Sequence, residues 1–288
     1  MPHKFEVMDI TMGYTEEELA RLHEALYEVL GEVVRVCDIL HIPFFMIGGS
    51  AIGCFFWKGI IPFDDDIDVG MTRENYNRFL REAPQVLGKD YFLQWLGTEP
   101  HTPFYFAKVR KNNTVFVEDI SENLPIHQGI FVDVIPFDRI PDNPRKERWQ
   151  RKLANTLLGS FVSKELWQWR YFGKCECEEP KPHGVLSCLF DRLMVMLVPK
   201  KTIYRWMEKC QTWYNGKSTR YYNNVMIEAD HVEADSIEHL EKVPFGPYEV
   251  GVPARLETYL KHHYPTLKKD LTEEERLRYS HRPKKIVF

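Results

Sequence analysis

Gly48-Gly49-Ser50-Ala51-Ile52-Gly53, then Ile60-Ile61-Pro62-Phe63-Asp64-Asp65-Asp66-Ile67-Asp68-Val69-Gly70-Met71, is the stretch on which the reading of this chain turns. It puts two unusual things close together. The first is a glycine turn after the apolar run Pro43 to Ile47, which reads as a strand entering a tight turn. The second is four aspartates within five positions, set among Ile60, Ile61, Phe63, Ile67, Val69 and Met71. A solvated acidic turn would explain a bare Asp-Asp-Asp run. Carboxylates anchored in apolar sequence instead call for a counter-charge. From Asp66 to Met71 polar and apolar residues partly alternate, as on a strand with one face in the core. Asp66 and Asp68 are two apart, so on such a strand they share a face. Paired carboxylates form a hard-oxygen site for Mg²⁺ or Mn²⁺, ions that keep positions open for substrate phosphates.

Working outward, a helix is expected from about Glu16 to Leu40. Thr15 and Glu18 have capping-box spacing, and Leu19, Leu22, Leu26, Val29, Leu30, Val33 and Val36 form one stripe. A short helix should follow the glycine turn, from Ala51 to Lys58, and another should cover Arg73 to Ala83. Short strands are expected near Tyr91 to Gln94, Tyr105 to Val109, Val115 to Glu118 and Gly129 to Ile135, the last ended by Pro136. In that last strand Asp133 is the single charge within Ile130-Phe131-Val132-Asp133-Val134-Ile135. It reads either as an edge residue facing water or, beside Asp66 and Asp68, as a third ligand or general base.

Past the Pro- and Asn-containing segment 138–144 the pattern turns helical, over Lys146 to Trp169, Leu186 to Leu197 and Ile203 to Tyr214. A mixed region, 221–250, and a final helix near 254–263 follow. The order implies an α+β fold: a mixed sheet core over 1–140 and a mostly helical region over 141–288 on the acceptor side. The 288 residues suffice for a core domain and a smaller companion. A net charge of -4 argues against nucleic acid as the acceptor. Met1 to Gly13 lacks the apolar core of a secretion signal, and no stretch approaches the roughly 20 apolar residues of a membrane span. A cytoplasmic protein is expected, with free thiols and peripheral contact with a membrane at most.

The segment from Gly48 to Gly53, with Lys58-Gly59-Ile60-Ile61-Pro62-Phe63-Asp64-Asp65-Asp66-Ile67-Asp68-Val69-Gly70-Met71, resembles the LicD family of phosphotransferases. That family includes bacterial phosphorylcholine transferases and is similar to the fukutin-related proteins. Phe106-Ala107-Lys108-Val109-Arg110 looks like its basic strand, and the segment from Asn123 to Asp138 like its second acidic motif. Tyr259-Leu260, Tyr264, Glu273 to Arg276 and His281 resemble its C-terminal part. Phe63 stands where many members have Trp, a change of packing rather than chemistry.

The resemblance implies a nucleotidyltransferase-like core. It also implies transfer of phosphorylcholine, or another phospho-alcohol, from a CDP-activated donor such as CDP-choline. The acceptor would be a glycan or glycolipid, such as teichoic acid, lipopolysaccharide or capsule. Asp66, Asp68 and Asp133 are then the catalytic and metal-holding set, with Asp64 the next candidate ligand and Asp65 outward-facing or behind it. Gly48, Gly49 and Ser50 offer backbone N–H groups to phosphate. Lys108 and Arg110, two apart on a strand, are candidate phosphate clamps that read equally as a solvated face. Lys58 is a further candidate, and so is His127, although a lone histidine is more often structural.

Two other readings compete. One is a nucleotidyltransferase that attaches NMP from an NTP, and the other is a non-catalytic nucleotide-binding protein. Cys175, Cys177, His183 and Cys188 form an irregular candidate zinc set, against the simpler reading of free thiols in a loop. Trp167, Trp169, Tyr171 and Phe172 could face a choline-type cation or simply pack.

Overall fold

A computed structural model describes residues 14–172, 192–225, 231–264, 266–270, 272 and 282–288. The candidate zinc set, His281 and the 273–276 motif lie outside them, as do the side chains of Trp167, Trp169, Tyr171 and Phe172.

Helix α1 (Glu16–Leu40) starts on Thr15, whose hydroxyl accepts from the Glu18 N–H while Glu18 accepts from the Thr15 N–H, so the capping box is complete. Its stripe is buried, including Leu22, Leu26, Val29 and Val33. Each such side chain withdrawn from water contributes about 1.5–3 kcal/mol. The helix lies against the sheet strands described next.

The sheet is mixed. Its core order is β1 (Phe45–Met46), β2 (Asp68–Thr72), β6 (Phe131–Arg139), β4 (Ala107–Lys111), β3 (Tyr91–Gln94). A small separate strand, β5 (Val115–Val117), precedes β6 in the chain. Strands β2 and β6 run parallel, and the other neighbours are antiparallel. Helix α2 (Gly48–Phe56) crosses between β1 and β2, and α3 (Arg73–Glu82) leaves β2 directly.

Several boundaries differ from the sequence expectation: β2 starts at Asp68 rather than Asp66, so Asp66 lies off the strand on which the two were to share a face. The glycines do not precede α2 but form its first turn. Strand β6 runs through Pro136 instead of stopping there. The Asp133 N–H points to β2, where it donates to the Ile67 carbonyl. By alternation the Pro136 nitrogen faces the other side. There β4 has already ended opposite Val134, and the next partner, β7 (Tyr221–Asn223), begins opposite Asp138. The missing donor therefore costs no ladder bond.

The helical unit is narrower than expected. It comprises α4 (Pro144–Phe172), with non-helical backbone at Leu166, and α5 (Lys200–Gln211), plus a helical segment at 192–197. Helices α4 and α5 are antiparallel: Gln150 Nε2 donates to the Cys210 carbonyl at one end, and Lys200 meets Glu165 at 2.8 Å at the other. Between them lies a second small core that includes Leu157, Phe161, Ile203 and Met207.

After this unit the chain returns to the first core. Strand β7 pairs with β6 and with β8 (Val232–Glu233), and the short helix α6 (Ala234–Glu238) follows. The hairpin β9 (Glu241–Phe245) and β10 (Tyr248–Val252) buries Phe245, Val250 and Val252 in the first core. So does α7 (Leu256–His263) with Leu256, Tyr259 and Leu260. Strand β11 (Lys285–Val287) pairs with β5.

The two units are joined by a buried, charge-balanced network. Arg73, the first residue of α3, donates to both Asp138 oxygens at 3.0 and 2.6 Å and to Gln211 at 3.0 Å. Asn215 Nδ2 donates to Asp138 at 2.6 Å.

Candidate active site

The site grows from the register of the sheet. Asp68 on β2 is paired with Asp133 on β6, Asp133 with Lys108 on β4, and Lys108 with Gln94 on β3. Directly paired residues share a face, so one row across four strands reads carboxylate, carboxylate, ammonium, amide. Strand β2 begins only at Asp68. Asp64, Asp65 and Asp66 form the irregular approach to it, with ligand oxygens within 4.8 Å of one another.

The start of α2 closes over this approach. Gly48 has φ of 53°, a left-handed conformation that L side chains rarely adopt. A Cβ on Gly49 would stand 2.7 Å from Asp64 Oδ2, and one on Gly48 would be 3.5 Å from Asp68 Oδ2. Both glycines thus let the positive end of the helix approach the carboxylates. Ser50 is buried, and its hydroxyl accepts from the Asp68 N–H at 2.9 Å, which fixes where the carboxylate strand begins.

Among the described residues acid is in excess here. Asp64 and Asp68 are raised well above the ordinary carboxylate range, by burial first and by Asp66 next. Burial pushes Asp65 up to about 6 and Asp133 up to about 7, the latter against the pull of Lys108. Carboxylates crowded together out of water resist sharing negative charge, and a bound cation would reverse that.

Lys108 belongs to this row, and Arg110 lies two residues further along β4 on the same face. Lys108 Nζ is 2.8 and 3.1 Å from the two Asp133 oxygens and 3.1 Å from Glu118, over the Phe131 ring at 3.5 Å. Its side chain is 2% exposed. Arg110 is fully buried and donates to Gln94, the Gly129 carbonyl and Glu118. The pair is thus not a solvated strand face. In this arrangement Lys108 steadies Asp133, and Arg110 steadies Glu118 and Gln94.

His127 is also engaged. Its Nδ1 accepts from the Gly129 N–H at 3.0 Å, its Nε2 meets Asn112 Oδ1 at 2.9 Å, and its ring stacks on Phe92. Those partners set the Nε2–H tautomer, and burial lowers its pKa. Lys58 is exposed, with φ of 54°, and its carbonyl accepts from the Gly246 N–H of the β9–β10 turn.

Three supporting residues were not legible beforehand. Tyr14 donates its hydroxyl to Asp65 Oδ2 at 2.7 Å, so Asp65 is buried rather than outward-facing. His23 Nε2 meets the Asp64 carbonyl at 2.8 Å. Glu118 bridges Lys108 and Arg110. Tyr14 and His23 act across 51 and 41 positions, and no local pattern announces contacts that distant.

Residues 41–157 match the family model described as LicD/FKTN/FKRP, nucleotidyltransferase domain. The chain is 26% identical over 156 residues to the lipopolysaccharide cholinephosphotransferase LicD of Haemophilus influenzae, an alignment covering 45% of this chain and 55% of that protein. It is 23% identical over 157 residues to an uncharacterised protein of Rickettsia typhi, covering 53% of this chain and 48% of the other. The chain thus spans about half the length of the curated relatives it matches. The matched family segment contains β1 to β6 and every aspartate of the site.

Proposed function

We propose that this chain transfers phosphorylcholine, or a closely similar phospho-alcohol, from a CDP-activated donor to a sugar hydroxyl of a cell-surface glycan, in a cation-dependent reaction on a nucleotidyltransferase-type core. The observation that carries this reading is the cluster of Asp64, Asp65 and Asp66 leading into Asp68, with Asp64 and Asp68 against the first turn of α2 and Asp133 paired with Asp68 on β6, inside the segment matched by the LicD family model.

The donor set fits a hard divalent ion, because every candidate ligand is a carboxylate oxygen. Asp66 and Asp68 would hold Mg²⁺ or Mn²⁺, with Asp64 the next ligand and Asp133 left to serve as the base. When bound, the ion screens the donor pyrophosphate and the charge gathering on the departing nucleotide.

The remaining work belongs to the chain. The acceptor hydroxyl attacks the phosphorus that carries the choline, the bond from that phosphorus to the oxygen of CMP breaks, and CMP leaves with the electron pair. The hydroxyl proton passes to Asp133, which Lys108 holds in place. The backbone N–H groups of Gly48, Gly49 and Ser50 face the donor phosphates, and the helix dipole favours the anion. Lys58 is exposed and is a further candidate to meet the donor phosphates.

The family description also names a nucleotidyltransferase domain, which keeps NMP transfer from an NTP as a second reading. Purified protein with Mg²⁺ and a sugar acceptor, offered CDP-choline, other CDP-alcohols and NTPs in parallel, separates the two. Cation-dependent CMP release from one CDP-alcohol, absent in Asp66→Asn/Asp68→Asn, is the expected result. Pyrophosphate released from an NTP, with no CMP from any CDP-alcohol, would establish the second reading instead.

A further inference from the structure

The charge of this chain is divided very unevenly. Residues 144–172 and 192–217 carry thirteen Lys and Arg against three Glu, whereas the rest of the chain carries 25 Lys and Arg against 39 Asp and Glu. An overall charge of -4 therefore hides a strongly basic helical unit on a strongly acidic body.

The basic residues are arranged with apolar ones along exposed stripes. On α4, Arg145, Arg148, Trp149, Lys152 and Leu153 recur at helical spacing and are all exposed, Trp149 at 73%. The Lys152 ammonium stands over the Trp149 ring. On α5, Lys201, Arg205 and Lys209 lie four apart, and Trp213 continues the same spacing just beyond the helix, 54% exposed. Trp206 is exposed alongside them. The acids of these helices are drawn inward: Glu147 pairs with Arg151 and His231, Glu165 with Lys200 and His101, and Glu208 lies half-buried 4.0 Å from Arg73. Because α4 and α5 are antiparallel, Trp149 and Trp213 stand at the same end of the pair, where Gln150 reaches Cys210.

Core packing does not explain these residues, since the buried faces of both helices are supplied by Leu157, Phe161, Ile203 and Met207. Interleaved Trp, Leu, Lys and Arg on exposed helices is the composition that lies in the headgroup region of a bilayer, with cations on lipid phosphates and indoles at the interface. Among the described residues no helix is long and apolar enough to cross a membrane.

We propose that the exposed face of α4 and α5 is a docking surface for an anionic lipid bilayer, on which the molecule lies helical unit down with its acidic body turned away. The charge division supplies the orientation, because an anionic surface attracts one end and repels the other. This surface is independent of the reaction assigned to the aspartates, since none of its residues belongs to that site.

The test is co-sedimentation with vesicles, one set of phosphatidylcholine and one of equal parts phosphatidylcholine and phosphatidylglycerol. Binding to the anionic set alone is expected, weakened at least about tenfold by raising salt to about 0.5 M. Charge reversal in Arg145→Glu/Arg148→Glu/Lys152→Glu should abolish it. Trp149→Ala/Trp213→Ala should lower it by about tenfold and reduce the blue shift of tryptophan emission on vesicle addition, Trp206 remaining on the same face. All five positions are exposed, so unchanged circular dichroism and thermal unfolding will confirm folded variants. CMP release from CDP-choline should be unchanged in solution, which separates a failure here from a failure of the proposed reaction. Equal binding to both vesicle sets, no vesicle binding, retention of binding in the charge-reversed variant, or vesicle-independent binding to single-stranded RNA with the same residues required would each overturn the proposal. So would a stable dimer that buries Trp149 and Trp213.

Discussion

Strand β6 carries two buried aspartates five residues apart that live in opposite electrostatic worlds. Asp138 is balanced: Arg73 grips both of its oxygens, Asn215 donates to it, and Gln211 takes the guanidinium's remaining reach. Asp133 sits where Asp66, Asp68 and Glu118 add carboxylates around it, and among the described residues Lys108 and Arg110 answer them. The strand, the burial and the residue type are the same. What differs is how much positive charge the described residues set beside each carboxylate. A balanced buried pair joins two parts of a structure. A buried acid excess costs stability, and a bound cation of the kind proposed above would offset that cost.

The sharpest break of this comparison is at the balanced end. Arg73→Met leaves Asp138 buried and unpaired, and should lower stability by about 3–5 kcal/mol in chemical unfolding. At the unbalanced end Asp68→Asn should do the reverse, leaving the cation-free protein as stable or more so while cutting CMP release by about a hundredfold or more. If the two variants lost stability equally, the contrast would be wrong.

Backbone changes should be smaller. Gly48→Ala, at φ of 53°, should cost about 1–2 kcal/mol in thermal unfolding. Gly49→Ala, whose methyl would meet the Asp64 carboxylate, should weaken Mg²⁺ binding with less loss of stability. Ser50→Ala removes the acceptor for the Asp68 N–H and should cost about 1 kcal/mol.

The smallest effect is in pH. The raised values mean that the native state takes up protons before the unfolded chain does, so these carboxyls oppose folding increasingly as pH rises through about 6 and about 7. A divalent cation must compete with those protons. The Mg²⁺-induced rise in unfolding temperature should therefore be full at about pH 8 and fade on acidification through that window. A Mg²⁺ effect that grew on acidification would contradict the assignment.

Much of this was legible in the residues. The capping box of Thr15 and Glu18, the stripe of α1 and the strand around Asp133 are local patterns, and the structure shows each. Asp133 beside Asp68 was expected from two similar surroundings, and the parallel register supplies it. Other features are not local. Pro136 inside β6 depends on where β4 stops and β7 starts, and those strands lie far away in the chain. The return of 221–263 to the first core was hidden because short strands of mixed composition do not declare their partner. Lys108 and Arg110 share a face as the spacing required, but spacing alone could not tell an outward clamp from an inward counter-charge. Glu118 and Asp133 decide that, and they come from other segments.

The central claim is that the acid excess at the start of α2 exists to hold a divalent cation. Mn²⁺ titration followed by electron paramagnetic resonance tests it directly. One bound Mn²⁺ is expected in the unaltered protein and in Ser50→Ala, with none in Asp66→Asn/Asp68→Asn. No bound Mn²⁺ in the unaltered protein, or undiminished binding in the double variant, would contradict it.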